Sequence, residues 1–425
     1  MSCQATVLRI NQAMRFFLYV LIFWLPYSNA VVESSVVICL FLWAIKRSIV
    51  FIFQDAATSA QGGGVKEFIQ AFQPRSSILT APIGFFLLAC TFSVAGSVFP
   101  GQSFYGLITK TLEWFVIYFL VIETIVSKRQ IFIAIAIFIF TSLATSLDGL
   151  IQVYITYKDF FGGRVIVPHN GATAAFVTYN DLGGYLTVVI PLTLSLFFLV
   201  RNRSAKILTF FIFTICAWCL VVTFARGAWL AGSLGILFFL FFNSRKLFAI
   251  ASIALIAFVL CFSFLASPEV KKGFRIDTSN MGWRLEVWQY GMKMVQERPV
   301  FGYGPNSFMK IFKEHRRHKG RQADYEPTYA HNCYVQMAVE TGIVGLALFS
   351  WILVRMFRKI IRQIKEPHLG AGDLRMLLAG LLAALFGFLA HSFVDTNFYS
   401  LKLSALYWFM TGLAISTSRA LDQKT

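Results

Sequence analysis

The sequence predicts an all-α integral membrane protein with about twelve transmembrane helices, and three observations carry that prediction. The 425-residue chain is 57% hydrophobic, 16% aromatic and only 14% charged, with 46 phenylalanines, a balance far from that of soluble domains. Apolar runs of about 17 to 25 residues, long enough to cross roughly 30 Å of hydrocarbon as a helix, recur along the whole chain. Basic residues cluster at Arg9 and Arg15, Lys46 and Arg47, Lys128 and Arg129, Arg201 to Lys206, Arg245 and Lys246, Arg355 to Arg375, and Arg419 to Lys424. Each cluster falls at an even-numbered junction of the twelve-helix count. Because basic residues of short loops stay on the cytoplasmic side, that parity supports the count and places both ends of the chain in the cytoplasm.

The twelve spans fall at 13–30, 31–45, 78–98, 111–126, 131–152, 182–200, 207–225, 227–243, 247–266, 332–354, 376–394 and 401–417. Ser28, Asn29 and Ala30 at the end of the first mimic a signal-peptidase site. The apolar chain resumes at once, however, and the parity needs this helix, which is therefore read as a retained anchor. Residues 48–77, with "AQGGGVKEFIQAFQPRSS", read as a glycine-rich connector with a short amphipathic piece lying on the inner surface. No fixed-period repeat is evident, and residues 1–425 read as a single polytopic membrane domain.

Two outer segments stand apart. Residues 153–181 form a medium loop, and residues 267–330 form the long one, between the ninth and tenth spans, with twelve Lys or Arg against seven Asp or Glu. A loop of that length is translocated despite its charge. Within it, Trp283, Leu285, Val287, Trp288 and Met292 predict an amphipathic helix lying on or dipping into the membrane. It ends before Pro299 and is followed by a turn at Gly302, Gly304 and Pro305. The basic run "KEHRRHKGR" from Lys313 to Arg321 reads as a surface facing solvent or headgroups.

The formal charge of +18 is on this account a topology signal, and a nucleic-acid partner is excluded, since no soluble domain interleaves aromatic and basic residues. The seven cysteines are scattered, most of them in apolar spans where a thiol behaves as a small hydrophobe. Cys216 and Cys219 form a C-x-x-C inside the seventh span without a second pair, which argues for packing over metal or redox chemistry.

The topology gathers four polar groups at one face of the bilayer. Arg226 lies in the tight outer turn "TFARGAWLAG", Arg284 in the long outer loop, His331 at the outer start of the tenth span and Asp395 at the outer end of the eleventh, in "AHSFVDTNF". Interfacial arginines are expensive and are paired or used, so Arg226 reads as a site residue; the competing reading is a side chain snorkelling to the headgroups. Two guanidinium forks at a membrane surface suit a diphosphate held between headgroups and water. A histidine in the same layer can take up a proton, which phosphate binding alone does not require; its alternative role is a helix-start residue bonded to backbone. Asp395 follows His391 by four residues, a spacing that with His331 would make a two-histidine, one-carboxylate metal set. The arginines already supply positive charge, so neither metal nor cofactor is assigned. Glu340, nine positions after His331, points to the opposite side of its helix and reads as structural.

"TFARGAWLAG", "WRLEVWQYGMKMVQERPVFGYGPNSF", "AHNCYVQMAVETGIVGLALF" and "HSFVDTNF", in this order, resemble the bacterial O-antigen ligase and polymerase superfamily. "TYNDLGGYLTVVIPL" is similar to its earlier asparagine-containing helix start. The resemblance implies a fold of about twelve helices like that of the GT-C glycosyltransferases, with one long periplasmic loop and a metal-independent, inverting transfer from an undecaprenyl-diphosphate-linked polysaccharide. It implies that Arg226 and Arg284 bind the donor diphosphate, that His331 is the catalytic base, and that Asp395, Asn332, Asn180 and Arg164 belong to the substrate site. Members commonly carry Ser before the first arginine, where this chain has Ala225. The expected protein is an inner-membrane O-antigen ligase whose acceptor is lipid A-core oligosaccharide. The nearest alternative is the polymerase of the superfamily, with a lipid-linked glycan as acceptor, and the next a protein O-glycosyltransferase. A transporter would place its polar groups near the midplane, not at one face.

Overall fold

The computed structural model describes residues 3–57, 70–160, 163, 165, 171–265, 279–317, 329–366 and 372–423. Among these the chain is helical throughout, with one isolated β-bridge between Lys158 and Val165. The helices are α1 (Cys3–Trp24), α2 (Asn29–Ala57), α3 (Thr80–Ala95), α4 (Pro100–Thr124), α5 (Lys128–Thr156), α6 (Tyr179–Leu199) and α7 (Arg203–Val222). They continue with α8 (Arg226–Asn243), α9 (Arg245–Leu265), α10 (Ser279–Glu297), α11 (Phe308–Arg317), α12 (Cys333–Lys365), α13 (Gly372–His391) and α14 (Leu401–Asp422). Every predicted span falls on one of them. Nine helices among the described residues are long and apolar enough to cross a membrane, and α3 is a shorter apolar helix.

Helix starts follow from side chains that satisfy the first-turn amides. Ser127 and Gln130 make a reciprocal capping box for α5, Asn202 caps α7, and Thr178 caps α6 by accepting from the Asp181 amide. Packing within the bundle rests on small residues that let backbones approach. Gly235 of α8 sits against Pro191 of α6 and the Ala383 carbonyl of α13, and Gly387 of α13 lies against the Thr187 carbonyl of α6. The last predicted span proves to be the most enclosed helix: α14 is buried along nearly its whole length, with Trp408 packed edge-on to Phe115 at 4.7 Å and to Tyr407 at 5.4 Å.

Four of the predicted basic junctions are tied into the bundle by polar contacts. Lys46 and Arg47 pair with Glu123, Lys128 with Asp373 at 2.8 Å and Lys359 with Asp422 at 3.0 Å, while Arg419 donates to the Ser76 carbonyl. The connector's residues 58–69 lie outside the described residues, as do 318–321 of the basic run, whose start lies in α11.

At one end α10 and α11 close over the bundle with a small core of their own, including Val287, Met294, Phe308, Phe312 and Val339. The predicted helix and its end before Pro299 are present, and the helix also has a face buried against protein. Leu285 and Met292 are exposed, and the helix turns Val287, Gly291 and Met294 inward, with Gly291 against Val335 of α12. Its partner is α12, so Val287 of the predicted membrane-facing stripe is core, while Leu285 and Met292 stay exposed.

Candidate functional site

The site is built on a break in α12. Gly342, at φ 70° and ψ −176°, interrupts the helix inside the "ETGIVG" stretch. The carbonyls and amides released there are taken up by the "PVFGYGPNSF" turn. Tyr303 N donates to Val339 O at 3.0 Å, Gly304 N to Glu340 O at 2.8 Å and Ile343 N to Pro299 O at 2.7 Å. Irregular backbone is tolerated inside a membrane bundle only where protein satisfies it in this way. Gly302 and Gly342 are both left-handed, and a side chain on either would run into the opposing backbone. Glu340 completes the joint: it accepts from the amides of Asn306 at 2.9 Å and Phe308 at 3.3 Å, from Gln336 at 3.1 Å and from the Tyr399 hydroxyl at 3.1 Å. It thus ties the turn to α12 and to the approach of α14, the structural role read from its spacing.

That joint fixes the start of α12, where His331 and Asn332 stand. Asn332 is buried, and its Oδ1 accepts from the amides of Tyr334 and Val335, both at 3.0 Å. Its side-chain oxygen is therefore the N-cap of α12. His331 adopts a left-handed backbone (φ 48°), which histidine tolerates better than most residues. Its ring lies 5.5 Å from that of Trp283 in edge geometry, and its Nδ1 is 3.4 Å from Asp395 Oδ1. That separation is long for a hydrogen bond, so the pair is a close contact that can tighten when the ring takes up a proton.

Asp395 does not continue the α13 face, because α13 ends at His391 and the chain turns through residues 392–396. The two histidines consequently have different partners. His391 Nδ1 lies 3.0 Å from Asn397 Oδ1, whereas His331 faces Asp395, whose Oδ1 also accepts from the Thr396 amide at 2.8 Å. Burial alone would push the Asp395 carboxyl up, but His331, His391 and the Thr396 amide outweigh it and hold the carboxyl below its ordinary value.

The same turn holds Arg284 and lies against the start of α8, where Arg226 stands. Arg284 Nη1 donates to the Val394 carbonyl at 2.9 Å, and Gly227, next to Arg226, packs against the Val394 side chain and the His391 ring. Arg226 is exposed and is the first residue of α8, whose N-cap Ala225 offers no side-chain bond. The first-turn amides of α8 therefore add positive potential beside its guanidinium. Ala225 is buried and packs close to Gly183 of α6, which accounts for a methyl at that position. Asn180 is half-buried in the first turn of α6, next to Asp181, whose charge interacts with that of Asp395. Arg164 lies outside the described residues. Trp283 and the Val394 carbonyl were not foreseen as site groups; the one sequence signal was an aromatic residue directly before Arg284.

Arg284, His331 and Asp395 thus meet around one turn at one end of a polytopic helical bundle, and the backbone next to Arg226 packs against that turn, which marks a multi-pass membrane protein with a candidate site rich in ionisable groups. Residues 211–350, which hold three of the four, match the family model described as O-antigen ligase, so the resemblance carried by the motifs is borne out. The chain is 23% identical over 337 residues to the O-antigen ligase of Salmonella typhimurium, covering 75% of this chain and 78% of that protein. It is 23% identical over 261 residues to the exopolysaccharide production protein ExoQ of Rhizobium meliloti, covering 55% and 57%. It is also 23% identical over 269 residues to a Rickettsia felis protein named as a polysaccharide ligase, covering 55% and 66%. The chain therefore spans less than two thirds of the length of these last two relatives.

Proposed function

We propose that the protein is an O-antigen ligase of the bacterial inner membrane, which transfers O-polysaccharide from undecaprenyl diphosphate to a sugar hydroxyl of lipid A-core at the periplasmic face. The observation that carries this is the meeting of Arg284 and an Asp395-oriented His331 at one turn, with the start of α8 and its Arg226 against that turn, within a segment that matches the O-antigen ligase family.

Asp395 attracts the Nδ1 side of His331, which leaves Nε2 to face the acceptor. Nε2 takes the proton of the acceptor hydroxyl while that oxygen attacks the anomeric carbon, and the bond from that carbon to the diphosphate oxygen breaks. Negative charge grows on the departing diphosphate, where Arg226, Arg284 and the α8 amides stabilise it. Positive charge grows on His331, where Asp395 stabilises it. In-line attack inverts the linkage, and a diphosphate leaves readily enough that no acid of the hydrolase type is needed.

The second reading is polymerisation, with a lipid-linked glycan as acceptor; the likeness to an exopolysaccharide production protein favours it. Cells carrying His331→Ala separate the two. A disabled ligase leaves lipid A-core uncapped while long polymer accumulates on undecaprenyl diphosphate. Cores capped with a single repeat would instead identify a polymerase and overturn the ligase reading.

A further inference from the structure

The chain segment 329–332 touches both the turn that holds Arg284, through His331, and a second polar pocket, through Tyr329. A pocket of about 160 Å³ lies between the starts of α2, α4 and α14, lined by Glu33, Tyr105, Lys110, Glu113, Trp114 and Tyr399. Its inner wall is shared with the site: the Tyr399 ring is 5.9 Å from that of Tyr329, and Lys110 Nζ lies 5.7 Å over the Tyr329 ring. Residues 107–112 of α4 form a π-helical turn, and Lys110 within it donates to Asn306 Oδ1 at 2.9 Å. Such turns are uncommon and occur frequently at functional sites.

The polar groups of the pocket select the chemistry of an occupant. Glu113 Oε1 is enclosed and has no hydrogen-bond partner among the described residues, and its carboxylate and that of Glu33 are close enough to repel. A carboxylate in a transmembrane helix is costly and marks a site by default. An ionised carboxylate only accepts and a protonated carboxyl also donates, so either form is matched by an occupant that brings both donors and acceptors. A diphosphate is excluded by the two carboxylates, and a simple cation is disfavoured by Lys110 on the same wall. A sugar ring fits: its hydroxyls donate to Glu33 and Glu113 and accept from Lys110, and its apolar face lies on Tyr105 or Trp114.

We infer that this pocket binds a hydroxyl-bearing sugar of the membrane-anchored acceptor, with the donor diphosphate on the Arg226 and Arg284 side of His331. The inference rests on the glycosyl-transfer reading above. The test is steady-state transfer in proteoliposomes, with undecaprenyl-diphosphate glycan as donor and lipid A-core as acceptor, each varied in turn; a second lipid-linked glycan replaces lipid A-core if only that is used. Glu113→Gln and Tyr105→Ala are expected to raise the acceptor KM roughly 10- to 100-fold, the worth of lost contacts to a charged group, with donor KM unchanged. Tyr105 is exposed at the helix surface, so its variant keeps the test valid if Glu113→Gln fails to fold. An unchanged acceptor KM, or a raised donor KM, overturns the pocket assignment. Absence of wild-type transfer to either acceptor refutes the functional reading itself.

Discussion

Asp395→Asn is the substitution that isolates one charge at the site. Asparagine keeps the shape and the Oδ1 that accepts from Thr396, and removes only the negative charge 3.4 Å from His331 Nδ1. At that distance two unit charges attract by about 5 kcal/mol at an effective dielectric constant of about 20. The His331 side chain is 26% exposed, so water screens part of this, and a loss of about 1.5 to 3 kcal/mol is expected. The charge matters most once His331 is protonated, so the loss belongs in kcat, about 10- to 100-fold at 1.4 kcal/mol per decade, with substrate KM little changed. Stability adds a second readout. Because the folded carboxyl is held below its ordinary value of 3.8, its ionised form stabilises the fold fully above that pH, and the contribution disappears as pH falls through the lower folded value. Asp395→Asn should therefore flatten the acid limb of a melting-temperature profile. Wild-type kcat in Asp395→Asn would refute the orienting role.

Three further outcomes follow from the geometry. Arg226→Lys and Arg284→Lys keep the charge but lose the fork, and each should cost about 1.5 to 3 kcal/mol in kcat/KM; full activity in both would remove the diphosphate role. Gly342→Ala forces a side chain into the Val300 backbone at a left-handed position, so a loss of at least about 1 to 3 kcal/mol is expected, read as a lower Tm in detergent; an unchanged Tm would show that the α12 joint is not rigid. In a background lacking Cys261, Lys313→Cys should react with an impermeant thiol reagent from the periplasm and Arg358→Cys should not. The reverse pattern would invert the topology.

The helices were legible because apolar runs and charge parity are local signals: each predicted span lies on a helix, including α3, which has only 16 residues. Glu340 was legible as structural from helical spacing alone. What it holds was not, because the "PVFGYGPNSF" turn meets α12 through backbone groups that carry no side-chain signature. For the same reason the sequence does not show that the amide oxygen of Asn332 caps α12. The i, i+4 spacing of His391 and Asp395 suggested a shared helix face, and the end of α13 between them separates their partners. Val287 reads as part of a membrane-facing stripe with Leu285 and Met292, yet it packs in the core against α12, since hydrophobic periodicity does not say whether a face meets lipid or protein. The enclosed position of α14 escaped notice too, because its many Ser and Thr residues make it less apolar than helices at the periphery.

The most direct test of His331 as the base for transfer onto lipid A-core uses purified protein in proteoliposomes, with labelled undecaprenyl-diphosphate polysaccharide and lipid A-core. Wild type should yield capped lipid A-core without polymer growth on the carrier. His331→Ala should bind the donor normally and transfer about 100- to 10,000-fold more slowly, the usual worth of a positioned base. Undiminished capping by His331→Ala, or growth of polymer on the carrier with the core left bare, would contradict the account.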